Sequence, residues 1–231
     1  MRYITERDLR DLFAGGVPER YDVPGDAKLT PAARQYLTDL RLFRHPAPPE
    51  RAANAVRAGE KKPEHMTHLN GRELVCKTHP RIHLRGKLDT LECEILLLQT
   101  ECRGEWSTRL SDALQLVRLV LSSEVRDAPM PAWTLDGMDA ENVHRCSHHP
   151  EQFGFSGHIL PTAEHGAFAA KLNRLRALTR ETELAAVEAF WDGQCLKRED
   201  CVMALNRLSS YFYVLQLRAV SALNGGEHGS N

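Results

Sequence analysis

The sequence predicts an all-α protein, a five-helix bundle preceded by a small helical appendage. Apolar residues recur at three- and four-residue spacing through the segments between Ile82 and Leu223. Strand-like alternation is almost absent. A breaker-rich stretch from His45 to Lys62, with Pro46, Pro48 and Pro49, parts these segments from two short amphipathic pieces.

The first piece opens on Thr5 followed by Asp8, the pattern of a capping box, with Leu9, Leu12 and Phe13 as its apolar face. The second opens on Thr30-Pro31, an N-cap followed by proline at the first helical position, and is expected to run to about Leu42. Residues 1–58 are therefore read as appendage and linker, and 59–231 as the bundle domain. In the bundle, Leu84, Leu88, Leu91, Ile95 and Leu98 mark a helix from about Ile82 to Cys102. Leu110, Leu114, Val117 and Leu121 mark the next. A shorter helix follows Asp139 and ends before Pro150. Two long ones are expected over about Ala163 to Trp191 and Lys197 to Leu223, with Gly225 to Asn231 as a frayed polar tail.

With 30 basic and 31 acidic residues the net charge is -1, so no global field draws in nucleic acid or an anionic membrane. Met1 to Leu9 carries Arg2, Glu6, Arg7 and Asp8 without an apolar run, so neither a secretory signal nor a membrane span is expected there, and the reading is cytoplasmic. Six cysteines lie scattered without a Cys-x-x-Cys pair, which favours reduced structural thiols over a disulfide framework or zinc knuckle.

Three segments carry candidate chemistry. From Leu74 to Glu92, basic residues including Lys77, Arg81 and Arg85 crowd a helix start, with Asp89 two turns in. That pattern suits phosphate oxygens at a helix N-terminus and equally describes a solvated entry loop. From Leu172 to Leu184, Arg176 and Arg180 share a helical face with Glu183, either an inward anion clamp or a surface salt-bridge ladder. From Ala204 to Tyr213, Asn206, Arg207 and two serines interrupt an apolar helix, and such polar groups need partners in the core or in a ligand.

Taken together, the three blocks resemble the ATP:cob(I)alamin adenosyltransferases. The string from Pro80-Arg81 through Arg85, Asp89 and Leu91 is similar to the family's first bundle helix. Arg176, Arg180 and Glu183 match its Arg-x3-Arg-x2-Glu, and Leu205 to Ser209 match its last-helix motif. Ile4-Thr-Glu, Thr67-His-Leu69, the run from His144 to His148, Leu160-Pro161 and His165-Gly166 look like the ethanolamine-utilisation (EutT) type. Two departures stand out. The His and Cys-Cys-x-x-Cys cluster that some members carry as a metal site is missing, so no residue is assigned as a metal ligand. The Gly-Asp-x-Gly phosphate loop of the propanediol-utilisation (PduO) type is replaced by Lys62 to Met66, and further branch positions by Glu181, Leu184 and Ser210.

The resemblance implies an enzyme that transfers the 5′-deoxyadenosyl group of ATP to Co(I) of cobalamin, giving adenosylcobalamin and triphosphate. It implies Asp89 and Arg176 as catalytic residues, Lys77, Arg176, Arg180, Glu183 and Asn206 as ATP-binding, and Mg²⁺ as counterion. Phe155 is the preferred apolar plug of the lower corrin face, while plain alignment puts His158 at that place. It further implies a homotrimer with sites between subunits, a flavoprotein-type reductase as electron source, and an ethanolamine setting that extends to a bacterial microcompartment. Two readings compete. Glu141-x-x-His144 is one half of a di-metal bundle step whose second half is not found. A non-catalytic corrinoid binder would share the fold but would not need the arginine pair.

Overall fold

The computed structural model describes residues 2–18, 21, 23–24, 27–40, 42, 62–71 and 73–226. The chain forms two compact units, residues 1–54 and 55–231. The expected linker, the boundary at 58 and the tail beyond Gly226 lie outside the described residues.

The first unit contains β1 (Arg2–Ile4), α1 (Glu6–Leu12), β2 (Ala27–Leu29) and α2 (Pro31–Asp39). Thr5 and Asp8 form the reciprocal capping box: the Asp8 amide donates to the Thr5 hydroxyl and the Thr5 amide to the Asp8 carboxylate. Helix α2 starts as expected, the Thr30 hydroxyl accepting from the Ala33 amide, but stops short of Leu42. The Leu42 amide instead donates back to the Leu37 carbonyl at 2.9 Å, which turns Leu42 into a core with Leu9, Phe13, Ala33 and Leu37. β1 and β2 pair in parallel, Ile4 opposite Leu29.

The second unit opens with a hairpin, β3 (Met66–His68) against β4 (Leu74–Cys76). These two short strand pairs accompany a mostly helical fold and were not placed from the sequence, where strand-like alternation is almost absent. Each strand is three residues long, too short for a two-residue period to register in the sequence. Four long helices follow: α3 (Pro80–Thr100), α4 (Glu105–Arg126), α6 (Gly166–Phe190) and α7 (Glu199–Gly226), with the short α5 (Ala140–His148) between the second and third. α3 packs on α4 and α6, α6 on α7, and α5 on α7. The core runs through Leu84, Leu88, Leu91 and Ile95 of α3 to Leu205, Leu208, Tyr211 and Phe212 of α7, all fully buried. Each such aliphatic side chain contributes about 1.5–3 kcal/mol of burial.

α3 begins at Pro80, two residues before its first apolar position, because Nδ1 of His79 accepts from the Arg81 amide and Pro80 occupies the first turn. α6 begins three residues later than expected. Gly166 sits at φ 78, a left-handed value that separates the 3-10 turn Ala163–His165 from the helix. Between α6 and α7, Asp192 accepts the amides of Gln194 and Cys195, and these bonds hold its carboxyl far below the ordinary carboxylate range. α7 then starts at Glu199, later than expected and after Arg198, whose guanidinium donates to the carbonyls of Ser123 and Ala128 and to Asp200.

Three ion pairs fix how α3 and α6 run. Lys87 meets Glu181, Glu94 meets Arg174, and Glu101 meets Lys171, so the helices are antiparallel and Asp89 lies level with Thr179 and Arg180. Across the other face of α6, Glu183 meets Asn206 and Arg176 meets Tyr213, a second antiparallel register.

Candidate functional site

Along α6 the residues Asn173, Arg176, Arg180 and Glu183 fall at three- and four-residue steps, a polar stripe distinct from the Lys171, Arg174 and Glu181 face that pairs with α3. Asn206, Ser210 and Tyr213 make the matching stripe on α7. Glu183 accepts from the Asn206 amide nitrogen at 2.9 Å, and the Asn206 oxygen accepts from Arg207. Both stripes therefore meet between α6 and α7. Asn206 is held by a carboxylate on one side and a guanidinium on the other, which fixes its amide orientation.

Arg176 is half-buried, with its guanidinium carbon 5.7 Å from the centre of the Tyr213 ring. It meets no carboxylate among the described residues, Asp89 included. Asp89 is exposed on α3, and no hydrogen bond or ion pair within the described residues engages it. Contact between Asp89 and Arg176 inside one chain is thus not made. Arg180 and Lys77 are likewise exposed cations with no carboxylate partner among the described residues. Lys77 sits at the end of the hairpin, its amide donating to the His65 carbonyl at 2.8 Å.

The basic helix start resolves differently from a phosphate cradle. Arg81 and Arg85 both turn to Glu124, a fully buried carboxylate on α4, with Arg81 Nε at 2.6 Å and Arg85 Nε at 2.5 Å. Arg81 also donates to the Glu124 carbonyl, and Arg85 to the carbonyl of Leu69 in the hairpin loop. These two arginines brace the fold. His79 beside them has its pKa lowered, first by burial and then by the neighbouring guanidiniums, against the opposing pull of Glu73 and Glu124.

Phe155 and His158 lie in the stretch after the 3-10 turn Pro150–Phe153. Phe155 is half-buried and its amide donates to the Pro150 carbonyl at 3.1 Å. His158 is exposed, yet both ring nitrogens are occupied. Nε2 is 3.2 Å from the His148 carbonyl and Nδ1 is 3.1 Å from the Tyr213 hydroxyl, which also accepts from the Ile159 amide at 3.0 Å. Both ring nitrogens of His158 are thus engaged within the chain. A little way off, His144 and His148 lie ring to ring at 4.2 Å, and burial followed by the Arg207 charge keeps the His144 pKa low.

Among the described residues no group of three His, Cys, Asp or Glu side chains converges to hold a metal ion. A cleft of about 370 Å³ lies between α3 and α6, lined by Glu94, Leu97, Lys171 and Arg174 among others, and none of the predicted site residues lines it. Glu181 and Leu184, which stand where the related branch has arginines, are a partner of Lys87 and a side chain 70% exposed. No described helix is long and apolar enough to cross a membrane.

One residue of the site was not singled out from the sequence. Tyr213 joins Arg176 to His158, and its one signal was its place seven residues after Asn206, on the same face. Arg207, read from the sequence as a polar group in need of a partner, donates to Asn206, while its Nε is buried without a partner among the described residues.

The cobalamin adenosyltransferase family profile matches residues 58–219. Corrinoid adenosyltransferase EutT of Salmonella typhimurium is 31% identical over 247 aligned positions, 95% of this chain and 92% of that protein. The Escherichia coli EutT protein shows the same identity and coverage. Among solved structures, a variant PduO-type ATP:corrinoid adenosyltransferase from Lactobacillus reuteri, complexed with cobalamin and ATP, matches with a TM-score of 0.55. It is 19% identical and the match covers 69% of this chain and 88% of that one. A second variant from the same organism, complexed with ATP, gives a TM-score of 0.54 at 19% identity over 69% of this chain and 91% of that one. At such identity the structural likeness speaks for the fold.

Proposed function

Because the chain belongs to the cobalamin adenosyltransferase family, we propose that it transfers the 5′-deoxyadenosyl group of ATP to the cobalt of a reduced cobalamin. The observation that carries this reading is the pair of polar stripes on α6 and α7, where Arg176 and Arg180 meet no carboxylate among the described residues while Glu183 and Asn206 are locked together. An anion-binding face of this kind suits a triphosphate.

In the reaction the electron pair of Co(I) attacks C5′ of the ribose, the Co–C bond forms, and the C5′–O bond breaks with its electrons leaving on the triphosphate. The cobalt is the nucleophile, so the protein supplies position, charge and exclusion of water. Arg176, Arg180 and Lys77 neutralise the charge growing on the leaving group. Asn206, fixed by Glu183, hydrogen-bonds the nucleotide. Mg²⁺ would supply counter-charge to the triphosphate, with Glu183 the carboxylate placed to hold it beside the phosphates. The residues fit that role, since Glu183 uses one oxygen for Asn206 and its other oxygen meets no partner among the described residues.

Asp89 is assigned to the nucleotide site across a subunit boundary, in a homotrimer with sites between subunits. Its support is that Asp89, Arg180 and Lys77 are exposed and meet no ion-pair partner among the described residues of one chain. Phe155 is the apolar side chain assigned to the lower corrin face, where removal of an axial ligand eases reduction of Co(II) by a flavoprotein-type reductase. The cytoplasm, or a microcompartment for ethanolamine breakdown, is the proposed setting. An anaerobic assay following Co–C bond formation from chemically reduced cob(I)alamin, ATP and magnesium tests the reading. Turnover is expected, and its absence would overturn the assignment.

A further inference from the structure

The mechanism above uses Arg176 on one side of the site and the stretch from Phe155 to His158 on the other. One residue touches both. The Tyr213 ring carries the Arg176 guanidinium 5.7 Å from its centre, and lies nearly parallel to the His158 ring, 6.0 Å between centres and 20° between planes. Its hydroxyl is within hydrogen-bond distance of Nδ1 of His158 and of the Ile159 amide.

The donors and acceptors in this cluster admit a consistent assignment. The His148 carbonyl can only accept, so Nε2 of His158 carries a proton. The Ile159 amide can only donate, so it occupies a lone pair of the Tyr213 oxygen and leaves the phenolic proton free. In neutral His158 that proton goes to Nδ1, the one ring nitrogen with a lone pair. A histidine ligates a metal through an unprotonated nitrogen. In this arrangement Nε2 has none to offer and Nδ1 is engaged.

We propose that Tyr213 is a positioning residue with two functions: its ring seats Arg176 for the triphosphate, and its hydroxyl pins the 155–159 stretch so that His158 cannot ligate the cobalt. The inference rests on the adenosyltransferase reading. Without the hydroxyl, Nδ1 of His158 loses its donor and the Ile159 amide its acceptor. The loop is then free to turn, and His158 becomes available as an axial nitrogen ligand, which opposes the electron that Co(II) must accept.

The experiment separates the two functions. Tyr213→Phe keeps the ring, and Tyr213→Leu removes ring and hydroxyl together. Each purified variant, checked for wild-type helicity, is assayed with chemically pre-reduced Co(I) and with Co(II) plus a weak reductant. The paramagnetic resonance spectrum of bound Co(II) is recorded with ATP and magnesium present. Tyr213→Phe is expected to lower the ratio of Co(II)-driven to Co(I)-driven rate by about tenfold or more and to introduce hyperfine splitting from an axial nitrogen. Adding His158→Ala to Tyr213→Phe is expected to remove the splitting and recover most of the ratio. KM for ATP is expected to rise by about threefold to tenfold in Tyr213→Leu relative to Tyr213→Phe, the size of a lost cation–π contact.

Equal losses in both assays for Tyr213→Phe, with no new splitting, would overturn the proposal and leave a structural tyrosine. Splitting that persists in the double variant would overturn it too, because the ligand would not be His158. An unchanged KM in Tyr213→Leu would overturn the seating of Arg176. Failure of the wild-type chain to turn over Co(I) and ATP is a separate result, which overturns the adenosyltransferase reading itself.

Discussion

Removing the Glu124 carboxylate tests how much of the fold hangs on one buried ion. Glu124 is 0% exposed and faces two guanidiniums whose side chains retain 19% exposure each. In Glu124→Gln the amide oxygen accepts from one arginine, while the amide nitrogen is left pointing at the other, donor against donor. Breaking a buried pair by removing one partner costs about 3–5 kcal/mol. The partial exposure of Arg81 and Arg85 lets water recover some of their solvation, which places the expected loss near the lower end, about 3 kcal/mol. With a urea m-value of about 2–3 kcal/mol/M, the unfolding midpoint of the bundle should fall by roughly 1 M or slightly more. Helical circular dichroism against urea measures this. Replacing all three charges, as Arg81→Met, Arg85→Met and Glu124→Leu together, should recover most of the loss, because no unpaired ion remains. A shift in Glu124→Gln equivalent to under about 1 kcal/mol would place the cluster with exposed surface bridges and refute the reasoning.

Arg176→Ala should lower kcat by about 10²-fold or more, the scale of losing one transition-state donor, with Asp89→Asn milder because the arginine keeps its charge. Steady-state rates with Co(I) check both, and near-wild-type activity of Arg176→Ala would remove the assignment. Inactive Arg176→Glu and Asp89→Arg chains should partly restore activity when mixed and reassembled, since some interfaces regain both native partners; no recovery would count against a shared site. Phe155→Ala should impair use of Co(II) under a weak reductant far more than turnover of Co(I), and equal losses would remove Phe155 from the corrin face. Activity should survive a transition-metal chelator in excess magnesium, and stoichiometric zinc or iron tied to turnover would refute that. His79 titrates below its ordinary value, so the unfolded chain takes up the proton first as pH falls. Its contribution to stability is full above about pH 6.5 and should fade below it. His79→Asn, which keeps a capping acceptor without titrating, should lose less stability between pH 7 and 5.5 in urea melts; identical slopes would show that the cap does not sense pH.

Much of this was legible in the sequence because it depends on period. Leu84, Leu88, Leu91 and Ile95 announce a buried face by spacing alone, and Thr5 with Asp8 announces a helix start by a local bond. The α6 triplet of Arg176, Arg180 and Glu183 was legible as one face for the same reason. What could not be read is which charges find partners across the fold. Arg81 and Arg85 stand in a run that suits phosphate as well as Arg176 does, and only the buried Glu124, some forty residues on, decides that they are structural. The hairpin was missed because its strands are short, and Tyr213 because an aromatic at helical spacing is ordinarily core. His158 gave no sign that both its nitrogens were occupied, since its partners come from the end of α5 and the middle of α7.

The pattern of paired and unpaired arginines is itself an argument for where the substrate sits. Arg109, Arg118, Arg174, Arg198 and Arg218 each meet a carboxylate in the chain, as Arg81 and Arg85 do. Arg176 and Arg180 on α6 and Arg207 on α7 do not meet one among the described residues. Arg207 keeps its Nε buried without an acceptor among the described residues, as the paired Arg218 also does. An unpaired cation that is partly buried, as Arg176 is, loses hydration without a counter-charge in return. Arg103, Arg126 and Arg145 also meet no carboxylate among the described residues, but each donates to an oxygen within four residues of itself, whereas Arg176 and Arg180 stay open to an anion from outside the chain. A triphosphate, with three charged groups in a row, matches a line of guanidiniums better than any single carboxylate does. The locked Glu183–Asn206 contact supplies the neutral, oriented neighbour that a nucleotide needs beside that charge.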